Sequence, residues 1–293
     1  MSGRSGAGDL RLDPRFVQRT LRAAGLHARH NLSQNFLADV EVLEGILAQA
    51  DPPAGRGVLE IGPGLGFLTG GLLAAGAHVT AVELDRGLVG VLRERFAAEM
   101  EAGVFRLVEG DALDQDLVHL VEPPYDVVAN LPYHITSPIL HRLLGSAPRA
   151  GRLVLMVQRE VAERIAAAPG DMSYLSVFAQ YHAKARVAFR VPQSAFEPAP
   201  KVESAVLVLE PYETDDRLDP AQEDHLWRVV QAGFRERRKM LHNVLMRQLP
   251  VEPSRVEAAL EACGIDRNRR PQTLAVGEWI ALAQALGEIP EAR

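Results

Sequence analysis

Four consecutive residues, Asn130 to Tyr133, combine hydrogen-bond acceptors with a flat ring at the end of a short apolar run. The Asn130 side chain offers an amide oxygen. Pro132 has no backbone donor and restricts the conformation of Leu131 before it. The ring of Tyr133 is a stacking surface with a polar tip. Acceptors beside an aromatic face suit a flat ligand that carries an amino group, and an adenine base fits that description.

The exocyclic amine of adenine is a weak nucleophile because its lone pair is delocalised into the ring. Acceptors at the Asn130 side chain and the Leu131 carbonyl would bind the amine hydrogens and concentrate the lone pair toward an incoming methyl group. This is alignment and preorganised electrostatics, and it requires no strong general base. The alternative is an ordinary turn in which Tyr133 is a core residue.

A glycine-rich segment upstream, VLEIGPGLGFLT, predicts where a methyl donor would bind. Gly62, Gly64 and Gly66 follow an apolar run and would let a ligand approach the backbone closely. A dinucleotide pyrophosphate is one candidate. However, Glu60 precedes the loop and would repel it, and the spacing is Gly-x-Gly-x-Gly rather than Gly-x-Gly-x-x-Gly. S-adenosylmethionine carries an ammonium and a sulfonium but no phosphate, so it fits better; a purely structural turn stays open.

Two further acids follow the next predicted strands. Glu83 ends the segment AVELD, where a carboxylate can accept from both hydroxyls of a ribose. Asp111 lies in EGDAL and is a candidate acceptor for the amine of a cofactor's adenine. Either could be a surface carboxylate. Suitable groups at three successive strand ends, on one edge of an open sheet, favour a cofactor site.

Strand-like and helix-like segments alternate between residues 55 and 210, which predicts a mostly parallel sheet with helices on both faces. The last two strands lack a long helix between them and are expected to form a hairpin at the sheet edge. A helix capped by Asp39 is expected ahead of the sheet. The seven predicted strands are Gly57–Ile61, His78–Glu83, Val104–Glu109, Asp126–Asn130, Leu153–Gln158, Ala185–Val191 and Ala205–Glu210. The predicted helices between the early strands are Phe67–Ala75, Arg86–Met100 and Pro138–Leu144.

The pattern changes at a linker rich in proline and acids near residues 211–220, and everything beyond it is helical in pattern. We therefore predict three regions. Residues 1–30 form a flexible basic leader, residues 31–212 an α/β domain that binds the methyl donor, and residues 213–293 a small, all-helical domain that binds RNA.

Composition limits the class of protein. The chain has 293 residues, of which 47% are apolar, and a single cysteine, Cys263. An intrachain disulfide is therefore impossible, and no metal cluster can rest on cysteines. We find no apolar run long enough for a membrane span and no signal-peptide pattern at the start, so we expect a cytoplasmic protein without metal.

The net charge of −6, taken alone, argues against a nucleic-acid partner. The charges are unevenly distributed, however, and local basic patches determine phosphate binding. Residues 1–35 and 228–247 are both rich in arginine. The alternative is that these segments are solvated helix faces. The candidate RNA-binding residues are Arg235, Arg237, Arg238 and Lys239.

Seven ordered motifs resemble the ribosomal RNA adenine dimethyltransferase family that acts on the small subunit. They are SQNFLAD, VLEIGPGLGFLT, AVELDR, GDAL, NLPYHITSPIL, SAFEPAPKVESAV and FRERRKMLHNVL. The resemblance implies a class I, Rossmann-like methyltransferase fold with a helical C-terminal domain. It also implies dimethylation of two adjacent adenines near the 3′ end of small-subunit rRNA, and a role in small-subunit biogenesis.

The resemblance further implies the residues of the site. Phe196 would face Tyr133 across the target base, although it could equally be a core residue of the hairpin. We expect a monomer that acts on small-subunit rRNA or a pre-30S particle, without a membrane partner. The implied cofactor contacts are Asn35, Leu37, Gly62, Glu83, Asp111 and Asn130.

Two positions depart from the family pattern before Gln34. The family usually has a basic residue and a glycine there, whereas this chain has His30 and Ser33. We assign His30 no role beyond a weak RNA contact. Ser33 affects the expected path of a loop that would cover the cofactor.

Three other functions stay open at this stage. A related methyltransferase that modifies large-subunit rRNA is disfavoured by the Asn-Leu-Pro-Tyr form and the FRERRKMLHNVL motif. A nicotinamide-dependent oxidoreductase is disfavoured by the glycine spacing and Glu60. A ribosome-assembly factor without catalysis is disfavoured by the intact set of cofactor residues.

Overall fold

A computed structural model describes residues 12–29, 34–213, 218–236 and 238–290. The chain divides into two compact units. The sheet unit comprises residues 1–162 and 186–211, and the helical unit comprises residues 163–185 and 212–293. Each unit has its own cluster of buried apolar side chains.

A seven-stranded, mostly parallel sheet forms the centre of the sheet unit, as predicted. Its order is β4-β3-β2-β5-β6-β9-β7. The pairs from β4 to β6 are parallel, and β9 is antiparallel to β6. A separate two-stranded sheet pairs β1 with β8. The strands are β1 Phe36–Leu37, β2 Gly57–Ile61, β3 His78–Glu83, β4 Phe105–Glu109, β5 Tyr125–Asn130, β6 Leu153–Gln158, β7 Ala183–Val191, β8 Phe196–Glu197 and β9 Ser204–Pro211.

The order of the sheet creates a crevice between β2 and β5. The chain moves outward from β2 to β4 and then crosses back to add β5 and β6 on the other side. Loops at the carboxyl ends of β2 and β5 therefore diverge, and open α/β sheets bind their ligands at such a point. The glycine loop follows β2 and Asn130 ends β5, so both predicted motifs lie at this crevice.

Twelve helices belong to the described residues. The predicted helix 86–100 is two helices, because the backbone leaves helical geometry at Phe96 (φ −114°), whose ring packs edge-on against Phe105. No helix was predicted for residues 159–182. The helices are α1 Pro14–Ala23, α2 Val40–Ala50, α3 Phe67–Ala74, α4 Arg86–Arg95, α5 Ala97–Glu101, α6 Thr136–Gly145, α7 Arg159–Ile165, α8 Tyr174–His182, α9 Pro220–Phe234, α10 Leu241–Gln248, α11 Pro253–Ala262 and α12 Val276–Leu286.

The predicted flexible leader needs correction where the structure describes it. Helix α1 begins after Asp13, whose carboxylate accepts a hydrogen bond from the first turn. Val17 and Leu21 lie one turn apart on its inner face and are buried in the core of the sheet unit. The arginines between these apolar positions made the segment resemble a flexible basic leader in composition. His30 and Ser33, the departures from the family pattern, lie outside the described residues.

The helical unit takes residues from both sides of the predicted boundary at residue 212. Helix α8 buries Val177 and Tyr181 in the core of the helical unit, the same cluster that contains the fully buried Trp279. The segment 163–185 therefore groups with the C-terminal helices, although its last three residues begin strand β7 of the sheet. None of the helices among the described residues has the length and apolarity that a membrane crossing needs.

Candidate active site

One cavity of about 280 Å³ lies at the carboxyl ends of β2, β3 and β5. Every residue predicted for the cofactor or the target base lines it. These residues are Asn35, Leu37, Gly62, Gly64, Glu83, Asp111, Asn130, Leu131, Pro132, Tyr133 and Phe196. They come from six separate stretches of sequence, and the topology of the sheet brings them to one place.

The glycine loop requires glycine for two reasons. Gly64 has a φ of +60°, and a Cβ there would meet the Phe36 ring at 3.2 Å. Gly66 has a φ of +78° and caps α3, and a Cβ would lie 2.5 Å from the Phe96 ring. Such backbone geometry is favourable only for glycine. The rings of Phe36 and Phe96 therefore leave no room for side chains at these two positions, where the loop consists of backbone alone.

Glu83 is fixed in position before any ligand binds. Its Oε2 accepts from the Gly64 amide at 3.1 Å, and its Oε1 accepts from the Asp85 amide at 2.8 Å. Burial raises the pKa of Glu83, and these two hydrogen bonds act in the opposite direction. Each carboxylate oxygen has a second lone pair. Glu83 can therefore accept hydrogen bonds from the hydroxyl groups of a ligand and still keep its bonds to the Gly64 and Asp85 amides.

Glu60 is a fully buried carboxyl group beneath the glycine loop. Burial raises its pKa from 4.5 to about 8, and the nearby Glu83 adds to the rise. The Thr69 hydroxyl donates to Glu60 Oε2 at 2.6 Å. A cation in the cavity would stabilise the ionised form. The buried acid thus fits a cationic ligand, as the sequence indicated, and is a poor neighbour for a pyrophosphate.

Asp111 lies in the turn after β4. One of its carboxylate oxygens accepts from the Leu113 amide at 2.8 Å. This hydrogen bond closes a short local turn and fixes the carboxylate at the rim of the cavity. The other oxygen can accept from an amine of a ligand.

Asn130 connects the end of β5 to the segment before β1. Its Nδ2 donates to the Asn35 carbonyl at 3.4 Å, so its Oδ1 is the atom that can accept from a target amine. The Leu131 amide donates to the Met156 carbonyl at 3.1 Å, which extends the ladder between β5 and β6 by one residue. The Pro132 carbonyl accepts from Ile135 in the following turn. Hydrogen bonds at the carboxyl end of β5 thus hold the predicted acceptors in place.

Two aromatic rings, those of Tyr133 and Phe196, line the same cavity. The Tyr133 hydroxyl lies 2.9 Å from the hydroxyl of Ser204, which is fully buried at the start of β9. Burial raises the pKa of Tyr133, so the phenol is neutral at physiological pH. Phe196 lies in β8, opposite Leu37 of β1. Ser204 was not among the predicted site residues, and its only signal in the sequence is its place in the motif SAFEPAPKVESAV.

The segment before β1 has a second attachment that the sequence did not reveal. Gln34 Nε2 donates to Asp85 at 3.0 Å, and Gln34 Oε1 accepts from the Arg29 amide at 2.8 Å. Asp85 is buried and also pairs with Arg29 at 3.3 Å. Together with the bond between Asn130 and Asn35, these contacts hold the segment beside the carboxyl ends of β3 and β5.

The predicted basic patch lies in the helical unit. Three of its four residues, Arg235, Arg238 and Lys239, are exposed and line a shallow surface groove together with Gln272. Arg235 also donates to Gln248 at 2.6 Å. The fourth, Arg237, lies outside the described residues.

The chain matches the family described as ribosomal RNA adenine dimethylase over residues 25–288. A protein named ribosomal RNA small subunit methyltransferase A from Anaeromyxobacter sp. (strain K) is 45% identical over 276 residues, which cover 89% of this chain and 94% of that protein. The protein of the same name from Thermosynechococcus vestitus is 42% identical and covers 91% and 99% of the two chains.

Two solved structures share the fold. The 23S rRNA methyltransferase ErmE has a TM-score of 0.70 and 28% identity, over 87% of this chain and 100% of that one. A dimethyladenosine transferase from Plasmodium falciparum has a TM-score of 0.71 and 26% identity, over 84% and 95% of the two chains.

Proposed function

The chain belongs to the ribosomal RNA adenine dimethylase family, and from this premise we propose that it transfers methyl groups from S-adenosylmethionine to two adjacent adenosines near the 3′ end of small-subunit (16S) rRNA. The observation that carries the proposal is the cavity at the carboxyl ends of β2, β3 and β5. There the acceptors of Asn130 and Leu131 and the rings of Tyr133 and Phe196 adjoin the glycine loop and its two acids.

The residues of the cavity fit S-adenosylmethionine, which supplies an electrophilic methyl group when bound. Glu60 is a buried carboxyl group whose ionised form a bound cation would stabilise. Glu83 is oriented to accept the ribose hydroxyls, and Asp111 to accept the adenine amine. Gly62 and Gly64 present backbone to the ligand, and Asn35 and Leu37 cover it from the segment that contains β1.

The target adenine is positioned by the end of β5. The Asn130 Oδ1 and the Leu131 carbonyl accept the hydrogens of the N6 amine and direct its lone pair toward the methyl donor. Tyr133 stacks on one face of the base and Phe196 on the other. These groups accelerate the reaction through alignment and fixed dipoles, and the amine proton leaves to solvent after transfer.

Recognition of the RNA falls to the helical unit in this proposal. The exposed cations Arg235, Arg238 and Lys239 bind phosphates, and Arg237 belongs to the same motif. Phosphate contacts position an RNA without reading its sequence. The protein acts as a monomer in the cytoplasm on small-subunit rRNA within a pre-30S particle, and thereby contributes to small-subunit biogenesis.

A second candidate is methylation of large-subunit rRNA, which the similarity to ErmE favours. Purified small and large subunits that lack dimethyladenosine separate the two candidates. We expect transfer of labelled methyl groups only to the small subunit, and mass spectrometry should find two adjacent dimethyladenosines near the 3′ end of its rRNA. Labelling of large-subunit rRNA alone would support the second candidate, and labelling of neither would contradict both.

A further inference from the structure

The hydroxyl groups of Tyr133 and Ser204 form a contact at the cavity, and this contact has no assigned role in the proposed methyl transfer. Their hydroxyl oxygens are 2.9 Å apart, although the residues are 71 positions apart in sequence. Ser204 is fully buried and is the first residue of β9. The Tyr133 ring is only partly buried and lines the cavity. A partly buried ring that lines the cavity is thus joined to a strand of the sheet.

The ring is held at both ends. Near its Cα, the backbone is fixed by the hydrogen bond from Leu131 to Met156 and by the turn from Pro132 to Ile135. At its tip, the phenol is fixed by Ser204, which lies opposite Gln158 in the antiparallel register of β6 and β9. Rotation of the ring about its Cα–Cβ bond would break the bond to Ser204.

We propose that Ser204 is a positioning residue that fixes the Tyr133 ring at the place where it stacks on the target adenine. The proposal rests on the proposed function, because it concerns the same base-binding site. Ser204 acts through Tyr133: it is fully buried, and its hydroxyl contacts the phenol at the tip of the ring.

The contact predicts an unusual order among three variants. In Ser204→Ala the phenol loses its buried partner, and an unsatisfied polar group costs more than a hydrogen bond that was never made. The ring therefore turns toward another partner and leaves the stacking position. In Tyr133→Phe the hydroxyl is absent, and the ring has no reason to turn. The double variant Tyr133→Phe with Ser204→Ala lacks both groups and should behave like Tyr133→Phe.

The first test measures methyl transfer to unmethylated small subunits at saturating S-adenosylmethionine. We expect kcat/KM for the subunit to fall about tenfold in Ser204→Ala, at the lower end of the range for a buried unsatisfied group. Tyr133→Phe should fall less than about threefold, and the double variant should recover to the level of Tyr133→Phe. If the losses of the single variants multiply in the double variant, or if Ser204→Ala is as active as the wild type, the proposal is wrong.

The second test reports on the ring itself and needs neither RNA nor activity. In protein labelled with 3-fluorotyrosine, the ¹⁹F signal of Tyr133 should be single and sharp in the wild type and shifted or broadened in Ser204→Ala. Ser176→Ala is the matched control, because Ser176 is another fully buried serine and donates to the Arg164 carbonyl, outside the cavity lining. It should lower Tm without moving the Tyr133 signal.

These two tests distinguish a failure of the proposal from a failure of the proposed function. If the wild type transfers no methyl groups to small subunits, the proposed function fails, and the ¹⁹F signal still decides whether Ser204 fixes the ring. An unchanged Tyr133 signal in Ser204→Ala overturns the proposal even when the wild type is fully active.

Discussion

Replacing Glu60 with glutamine should make the protein more stable at high pH. Glu60 is fully buried, and burial raises its pKa from 4.5 to about 8. The folded state therefore holds a proton that the unfolded chain has released. The stability contributed by this proton is complete below about pH 4.5 and is lost as pH rises through about 8. Glutamine has the same shape, can accept from Thr69, and does not ionise.

The size of the effect follows from the pKa difference. Each unit of difference is worth about 1.4 kcal/mol once the pH exceeds both values. Between pH 5 and pH 9, the free energy of unfolding of the variant should therefore rise relative to that of the wild type by about 4 kcal/mol. Urea denaturation at pH 5, 7 and 9 without cofactor measures this difference directly.

The control is Glu109→Gln at the end of β4. Glu109 is a partly exposed acid that pairs with Arg86 and Arg93. Surface ion pairs contribute little to stability, so this variant should follow the wild type at every pH. Curves for Glu60→Gln and the wild type that run parallel from pH 5 to 9 would refute the argument, because they would mean that Glu60 ionises as easily in the folded protein as in water.

The same group should make cofactor affinity depend on pH. With a pKa of about 8, roughly one Glu60 in eleven is ionised at pH 7 in the free protein. If a cationic ligand requires the ionised form, S-adenosylmethionine should bind about tenfold more tightly at pH 9 than at pH 7. Glu60→Gln is the control, because any pH dependence of its affinity must come from groups other than Glu60, such as those of the ligand. Calorimetry should find no tenfold change in the affinity of this variant between pH 7 and pH 9.

Three further predictions concern the proposed roles of single groups. Glu83→Ala should weaken S-adenosylmethionine binding by roughly 1.5–3 kcal/mol in calorimetry, and unchanged affinity would remove Glu83 from the site. Asn130→Ala should slow methyl transfer about a hundredfold at saturating cofactor while RNA binding persists; a near-normal rate would contradict activation of the amine by β5. Reversing Arg238 and Lys239 to glutamate should weaken RNA binding and flatten its salt dependence by about one unit per lost phosphate contact, with unchanged cofactor affinity. If neither RNA affinity nor its salt dependence changes, the patch is a solvated face.

The sheet could be predicted from the sequence because its central strands are continuous apolar runs. Strands such as β5 and β6 are covered on both faces, and every predicted strand end lies within two residues of the observed one. Helix α1 could not be predicted as easily, because only Val17 and Leu21 mark its buried face between arginines. Helix α8 followed neither pattern, since its burial depends on helices that begin only at Pro220.

For the candidate site, the sequence predicts the lining residues but not the partners that hold them in place. The proposed site residues could be identified from motifs in the sequence. Their proximity could be predicted as well, because loops at the carboxyl ends of parallel strands meet at one edge of the sheet. The partners that hold those residues were not predictable, since they are distant in sequence and have no periodicity. Ser204 is 71 residues from Tyr133, and Asp85 is 51 residues from Gln34. Such pairs are side-chain contacts that only the folded chain specifies.

These supporting contacts also explain why the segment before the sheet belongs to the site. Gln34 is attached to the turn after β3, and Asn35 to the end of β5. Leu37 pairs with Phe196, the residue proposed to face the target base. The four residues from Gln34 to Leu37 thus contact the turn after β3, the end of β5 and strand β8. A substitution that breaks one of these contacts should therefore disturb both the proposed cofactor site and the proposed base site, because this segment adjoins both.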